Sequence, residues 1–233
     1  MASGFTGFRH EALDFLIELG LNNDRAWFRP RKGEYEALLK LPLEALCVTL
    51  GDELARRGIP LRADERSPFR IYRDVRFSRD KAPYKTNLGA SFPWTGDGGG
   101  VGGYLHVAPG ASSVGGGMFH PSPARLAAWR NAVVRDRAGV RAAVGDSAFS
   151  AVFGAVHAET SLKRAPAGFD PADPDLDLLR LKDVIFGRTL ADGEVLDPGL
   201  PARIAEDLAA SLPVMRYLAA LPGLEAGSPA WLR

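Results

Sequence analysis

The hydrophobic pattern of this chain changes period twice, and that change limits the fold more than any single motif does. From Phe8 to Gly58 apolar residues recur at helical spacing. In "FRHEALDFLIELG" the residues Phe8, Leu13, Phe15, Leu16 and Leu19 form a stripe that would bury one helix face, and Gly20 supplies a stop. In "LNNDRAWFRPRKGEYEALLK" a side-chain oxygen of Asn22 or Asn23 is expected to cap the next helix by accepting from first-turn amides, with Pro30 and Gly33 breaking or bending it. A third helix is expected to follow Pro42 and end at Gly58.

Between Phe69 and His120 alternation and turn residues replace helical spacing. Strands are expected at Phe69–Phe77, Thr86–Trp94, Gly103–Ala108 and Ser112–Met118, with a hairpin turn in "VAPGASS". The stretch "SFPWTGDGGGVGG" is expected to end in a flexible connection, because glycine loses much freedom on ordering. Ser122 as cap and Pro123 at the first helical position then start a helix. A strand is expected at Val184–Thr189 and a last helix at Pro201–Leu218, bent at Pro213. The expected architecture is one α+β domain, a mostly antiparallel central sheet flanked by N-terminal and C-terminal helices, helical over 8–58, sheet-rich over 69–120 and mainly helical over 122–218.

The 233 residues are 46% hydrophobic, enough for a substantial core. Charges by Arg9 and Glu11 argue against a secretory leader, and a cytoplasmic protein without a membrane partner is expected. Cys47 is the single cysteine, so an internal disulfide and a cysteine-built zinc site are excluded. It is expected to fill a helix face.

Charge is unevenly placed. Arg62 to Lys85 holds eight Lys and Arg against four Asp and Glu, leaving 21 against 24 elsewhere. Such a local patch suits an anion on a protein that is not globally basic, whereas a dedicated nucleic-acid binder is usually more basic. As a strand, Phe69–Phe77 would place Arg73 in the row of Phe69, Ile71, Val75 and Phe77, where an unpaired buried charge costs several kcal/mol. Arg73 therefore needs a carboxylate, from Asp14, Asp24 or Glu34, or an anion-holding cavity, unless a bulge near Tyr72 turns it outward. Arg70, Arg76, Lys81, Tyr84 and Lys85 complete a set in which Arg forks and Lys point charges suit phosphate. The alternative is an Arg–Asp ladder holding adjacent strands.

Gly115, Gly116 and Gly117 precede the capped helix and fit a bulge or tight packing better than an anion cradle, since no P-loop or dinucleotide spacing accompanies them. His106 and His120 are the candidates for proton transfer, with Asp74 as a third catalytic candidate. A turn at Gly110 and Ala111 would set His106 opposite Gly115 and leave His120 about 17 Å away, so no metal shared by the two is expected. No cofactor is expected either. His10 and His157 look ordinary, and Lys163, Arg164, Arg180, Lys182 and Arg188 are expected mainly to solvate loops.

The stretches "NNDRAWF", "FRIYRDVRFSRDKAPYKTN", "GGYLHVAPG…VGGGMFHP" and "LKRAPAGFD…DLLRLKDVIF" resemble, in wording and order, the family known as domain of unknown function 2461. The resemblance spans roughly Gly4 to Leu218 and implies one domain without an assigned substrate or catalytic residue. Relatives often have histidine where Asn87 and Asp173 stand, so a mechanism needing histidine there does not carry over.

The functional expectation is binding of, or action on, a phosphate-bearing or other anionic ligand such as a nucleotide, gripped by Arg70, Arg73, Arg76, Lys81, Tyr84 and Lys85 and closed by Gly115 to His120. Whether a reaction follows is left open, as is the oligomeric state. The competing expectation is a non-enzymatic nucleic-acid or protein interaction module with a mainly structural ladder. A hydrolase built on Asp74 and Asp80 is a third, weakened by Pro83 against a continued strand.

Overall fold

The structure is a computed structural model and describes residues 4–76, 78–96 and 99–223. Helix α1 (His10–Leu21) buries Leu13, Phe15, Leu16 and Leu19, as its stripe requires. The short α2 (Arg25–Phe28) is capped by Asp24, which accepts from the Trp27 N–H at 2.9 Å, and not by Asn22 or Asn23. Asn23 acts elsewhere. Its side-chain amide donates to the Tyr84 carbonyl and accepts from the Tyr84 N–H, pairing like a backbone unit over a long sequence distance.

A 3-10 turn at Arg29–Arg31, α3 (Lys32–Tyr35) and a π turn at Glu36–Lys40 lead into α4 (Leu41–Arg56). Pro42 has no N–H for the carbonyl four residues back, and the helix passes it through the wider π turn. Cys47 is fully buried on α4 among Leu43, Leu46 and Leu50.

The sheet comprises β1 (Leu88–Pro93), β2 (Val101–Val107), β3 (Ser112–Met118) and β4 (Val184–Leu190), adjacent in that order and antiparallel throughout. The fold is α+β. The strand expected from Gly103 starts earlier, so Val101 and Gly102, expected in the flexible connection, lie inside β2. The turn after β2 is tight, with Gly110 at φ 65°, but it pairs His106 with Ser113 instead of Gly115. Helices α5 (Pro123–Arg135), α6 (Arg137–Val144), α7 (Ser147–Phe153) and α8 (Leu176–Arg180) separate β3 from β4. After β4 come α9 (Asp192–Leu196), α10 (Leu200–Ala210) and α11 (Leu212–Ala220). Ser122 caps α5 as expected, accepting from the Arg125 N–H. The expected last helix is two, parted at Ser211, because Pro213 cannot donate to the Ala209 carbonyl.

Strand alternation gives the sheet two unlike faces. One carries Ala90, Phe92, Leu105, Val114, Met118 and Phe186, all buried, and packs against α7, α10 and α11. A Cβ at Gly103 would touch Leu208 of α10, and one at Gly116 would touch Met215 of α11. The other face carries Gly89, Tyr104, His106, Ser113, Gly115, Gly117 and Gly187 by the same pairing. Both edges are covered. Residues 61–69 bond along β1 through Ser91 N–H to Ser67 and Phe69 N–H to Gly89, while His157 and Ile185 exchange backbone bonds on β4.

Two expectations are corrected. Residues 69–76 form no strand, only an isolated bridge at Tyr72, and Phe77 lies outside the described residues. The cause is local: Asp74 accepts from the Arg76 N–H and Asp80 from the Ala82 N–H, turns that compete with a strand ladder. Arg188 lies in the strand expected at Val184–Thr189, but its side chain, expected to solvate a loop, is half-buried on the packed face, bonded to Asp207 at 2.8 Å and Glu194 at 3.1 Å.

Gly115, Gly116 and Gly117 are tight packing within β3, not a cradle before a helix. A Cβ on Gly115 would come within 2.1 Å of the Phe186 carbonyl oxygen, and Gly117 adopts φ 119°. Gly115→Ala should therefore destabilise by about 1–3 kcal/mol, read as a fall in melting temperature of roughly 2–12 °C.

Asp207 is buried, and burial pushes its carboxyl up while Arg188 pulls it down. Arg188→Ala should cost about 3–5 kcal/mol by leaving that carboxylate uncompensated. In the variant Asp207 would have a raised folded pKa, so the deficit should shrink as pH falls and the group takes up a proton, which denaturant titrations at pH 7 and 5 would show.

Candidate functional site

The cationic segment closes into a loop whose two ends pair. Tyr72 bridges Tyr84, the Arg73 N–H donates to Pro83 at 2.9 Å, and the Lys85 N–H donates to Ile71 at 2.8 Å. Two of its arginines are spent inside the loop. Arg73 bonds Asp80 at 2.5 Å, replacing the expected partners Asp14, Asp24 and Glu34, and Arg76 forks onto Asp74. Those contacts hold both carboxyls low: the Arg76 guanidinium brings Asp74 to about 2, and the Arg73 side chain followed by the Ala82 N–H lowers Asp80. Lys81 donates to the Val75 carbonyl. Tyr84 points inward, buried and stacked on Phe28 with centroids 4.1 Å apart.

Lys85 and Arg70 are different. Neither has a carboxylate within ion-pair distance among the described residues. Lys85 is half-buried with its ammonium 5.2 Å from the centre of the Phe69 ring. Burial first, and the nearby Arg70 charge second, hold its pKa below the usual lysine range. Beside it lies a polar pocket of about 410 Å³ lined by Asn23, Arg73, Asp80, Tyr84, Lys85, Thr86 and Asn87, with Gly20 and Ala82. The loop thus brings Arg73, Tyr84 and Lys85 together and leaves Arg70, Arg76 and Lys81 exposed outside the pocket lining.

Behind this pocket a polar chain leads onto the glycine-bearing sheet face. The Nδ1 of His106 lies 3.4 Å from the Asn87 side-chain nitrogen and 3.2 Å from the Tyr104 hydroxyl. Both groups can donate, so an imidazole with Nδ1 unprotonated and the proton on Nε2 satisfies them. Burial lowers the His106 pKa and favours the same neutral form. Tyr104 in turn faces Phe69, the rings 6.1 Å apart at 29°. Sequence reasoning misses Phe69, Tyr104 and Asn87 as site residues. Alternation in "YLH" already places Tyr104 and His106 on one face, but the approach of Phe69 and Asn87 comes from distant segments.

The other candidates sit apart. His120 is exposed at φ 46°, stacked on Phe119, with its N–H held by buried Asp183 at 2.7 Å and its ring 3.9 Å from Glu159. Asp74 lies on the exposed loop, committed to Arg76. Asp173 is tied to Arg137 at 2.9 Å. Among the described residues no group of three or more His, Cys, Asp or Glu is placed to hold a metal, and no helix is long and apolar enough to cross a membrane.

The family model for DUF2461, conserved hypothetical protein, matches residues 11–217. The chain belongs to this family. No curated protein and no solved structure matches it. For this DUF2461 chain the match includes the cationic loop, the polar pocket and His106.

A histidine with a lowered folded pKa contributes stability that is present above the unfolded value of about 6.5 and lost as pH falls through the folded pKa. His106 should titrate below about 6.5 by NMR. Melting temperature should fall between pH 7 and 5 by more in the unaltered protein than in His106→Gln, which has no proton to take up.

Proposed function

We propose that this DUF2461 protein binds a small phosphate-bearing ligand, with the anionic group held by Lys85 at the polar pocket, Arg73 at its wall and the exposed Arg70 adding charge beside Lys85. The observation that carries the proposal is Lys85: a half-buried ammonium, without a carboxylate partner among the described residues, beside a second cation. Half-burying the Lys85 ammonium near the exposed Arg70 charge is unfavourable, and an anion between them reverses the sign of that interaction. Pairing of Arg73 with Asp80 and Arg76 with Asp74 removes charges that a long phosphate backbone would need, which favours a small ligand over nucleic acid. His106, its unprotonated Nδ1 facing Asn87 and Tyr104, orients the Asn87 side chain at the pocket wall and is not itself placed to take a proton from the ligand.

Calorimetric titration with inorganic phosphate, sugar phosphates and nucleoside monophosphates tests this. Lys85→Met keeps the aliphatic packing on Phe69 and removes the charge. It should weaken the best binder by roughly 10- to 100-fold, from about 1.5–3 kcal/mol for a charged hydrogen bond, with the melting temperature nearly unchanged. Unchanged affinity in Lys85→Met would refute the assignment. Tight binding of oligonucleotides with a steep salt dependence would move it to the interaction module.

A further inference from the structure

The open sheet face carries a cleft of about 360 Å³, within the usual range of small-molecule sites. Its floor is backbone: Gly102, Gly115, Gly117 and Gly187 face it without side chains, and their strands are already joined by ladder hydrogen bonds. The floor therefore offers flat peptide faces and few free donors or acceptors. Phe69 and Tyr104 form one wall, Phe119 and Ile185 stand on the other side, and Ser113, His157 and Glu159 put polar groups among the lining.

The glycines are not equivalent. A Cβ on Gly102, Gly115 or Gly117 would run into the backbone of a neighbouring strand, at 2.9, 2.1 and 2.2 Å respectively. Their absence of side chains is demanded by the sheet. Gly187 has no such excuse: a Cβ there would meet the Val114 carbonyl oxygen at 3.4 Å and the Gly115 Cα at 3.9 Å, ordinary contacts. Glycine inside a strand is unfavourable relative to alanine, so the packing of the sheet alone does not account for it. What Gly187 keeps clear is the floor of the cleft.

Cleft and cation pocket have no lining residue in common but touch through one contact, Phe69 on Lys85. Phe69 walls the cleft and also carries the Lys85 ammonium over its ring. We propose that the cleft is the ring site of the same ligand and takes a flat heteroaromatic base, which makes the ligand a nucleotide and not a sugar phosphate or polyphosphate. This rests on the phosphate site proposed above. A planar ring stacks on peptide faces and aromatic walls, leaving its edge for Ser113, His157 and Glu159, whereas the hydroxyls of a sugar would lose water over a floor that cannot replace it.

The experiment is calorimetric titration of the full chain with the four ribonucleoside 5′-monophosphates, adenosine and ribose 5-phosphate, repeated on Gly187→Val. At least one monophosphate should bind tenfold or more tighter than ribose 5-phosphate. Gly187→Val should melt at or above the unaltered temperature and bring that nucleotide down to the ribose 5-phosphate level, leaving ribose 5-phosphate itself unchanged. Should that variant not fold, Ser113→Phe fills the same cleft from β3. Equal binding of ribose 5-phosphate and every monophosphate, indifferent to cleft filling, overturns the ring site and leaves the phosphate site standing. Adenosine binding as tightly as its monophosphate, insensitive to Lys85→Met but lost in Gly187→Val, does the reverse. Absence of binding by every nucleotide and by adenosine overturns the ring site.

Discussion

The close approach of backbone to backbone along β3 is the constraint on which the rest of the molecule depends. Three successive glycines let β2 and β4 come so near that any side chain at Gly115 would meet a neighbouring carbonyl. That packing makes one sheet face bare. The helices α7, α10 and α11 and the large apolar residues then gather on the other face, where burial is productive. The bare face is left to be bordered by Phe69 from one edge and His157 from the other, and the cleft between them follows from that division.

Electrostatics set the second level. The loop from Arg70 to Lys85 is rich in cations, yet two aspartates neutralise Arg73 and Arg76 and at the same time turn the backbone through their N–H contacts. The pairs serve shape as much as charge, because exposed ion pairs contribute little stability by themselves. Lys85 remains as the cation that the loop folds inward, and Asn23, clamped on Tyr84, ties that end of the loop to the first helices.

Much of this architecture is legible in the residues alone. Helix α1, the Ser122 start of α5, and strands β3 and β4 follow from periodicity, capping and turn residues, which are local signals. The strand expected at Phe69–Phe77 does not form, because alternation there competes with aspartate turns and the same segment reads either way. Within the candidate site, Arg73 stands out as charge in an apolar row, whereas Lys85 reads only as one more cation of the segment. Tyr84 stands out too, but as a site hydroxyl, whereas its ring is core packing against Phe28. Phe69, Tyr104 and Asn87 give no local sign of meeting His106, since nothing in their neighbours says which segments come together.

What the sequence determined by itself is the alternation of helix, sheet and helix, the absence of an internal disulfide, and the concentration of cations in one segment, all of which depend on residue type and near neighbours. Tertiary structure alone decided which cations are neutralised, that Arg188 is half-buried and paired with buried Asp207, and that His106 stands between a polar pocket and a glycine-floored cleft. Those outcomes depend on contacts between segments tens of residues apart, whose partners are selected by the packing of the whole core.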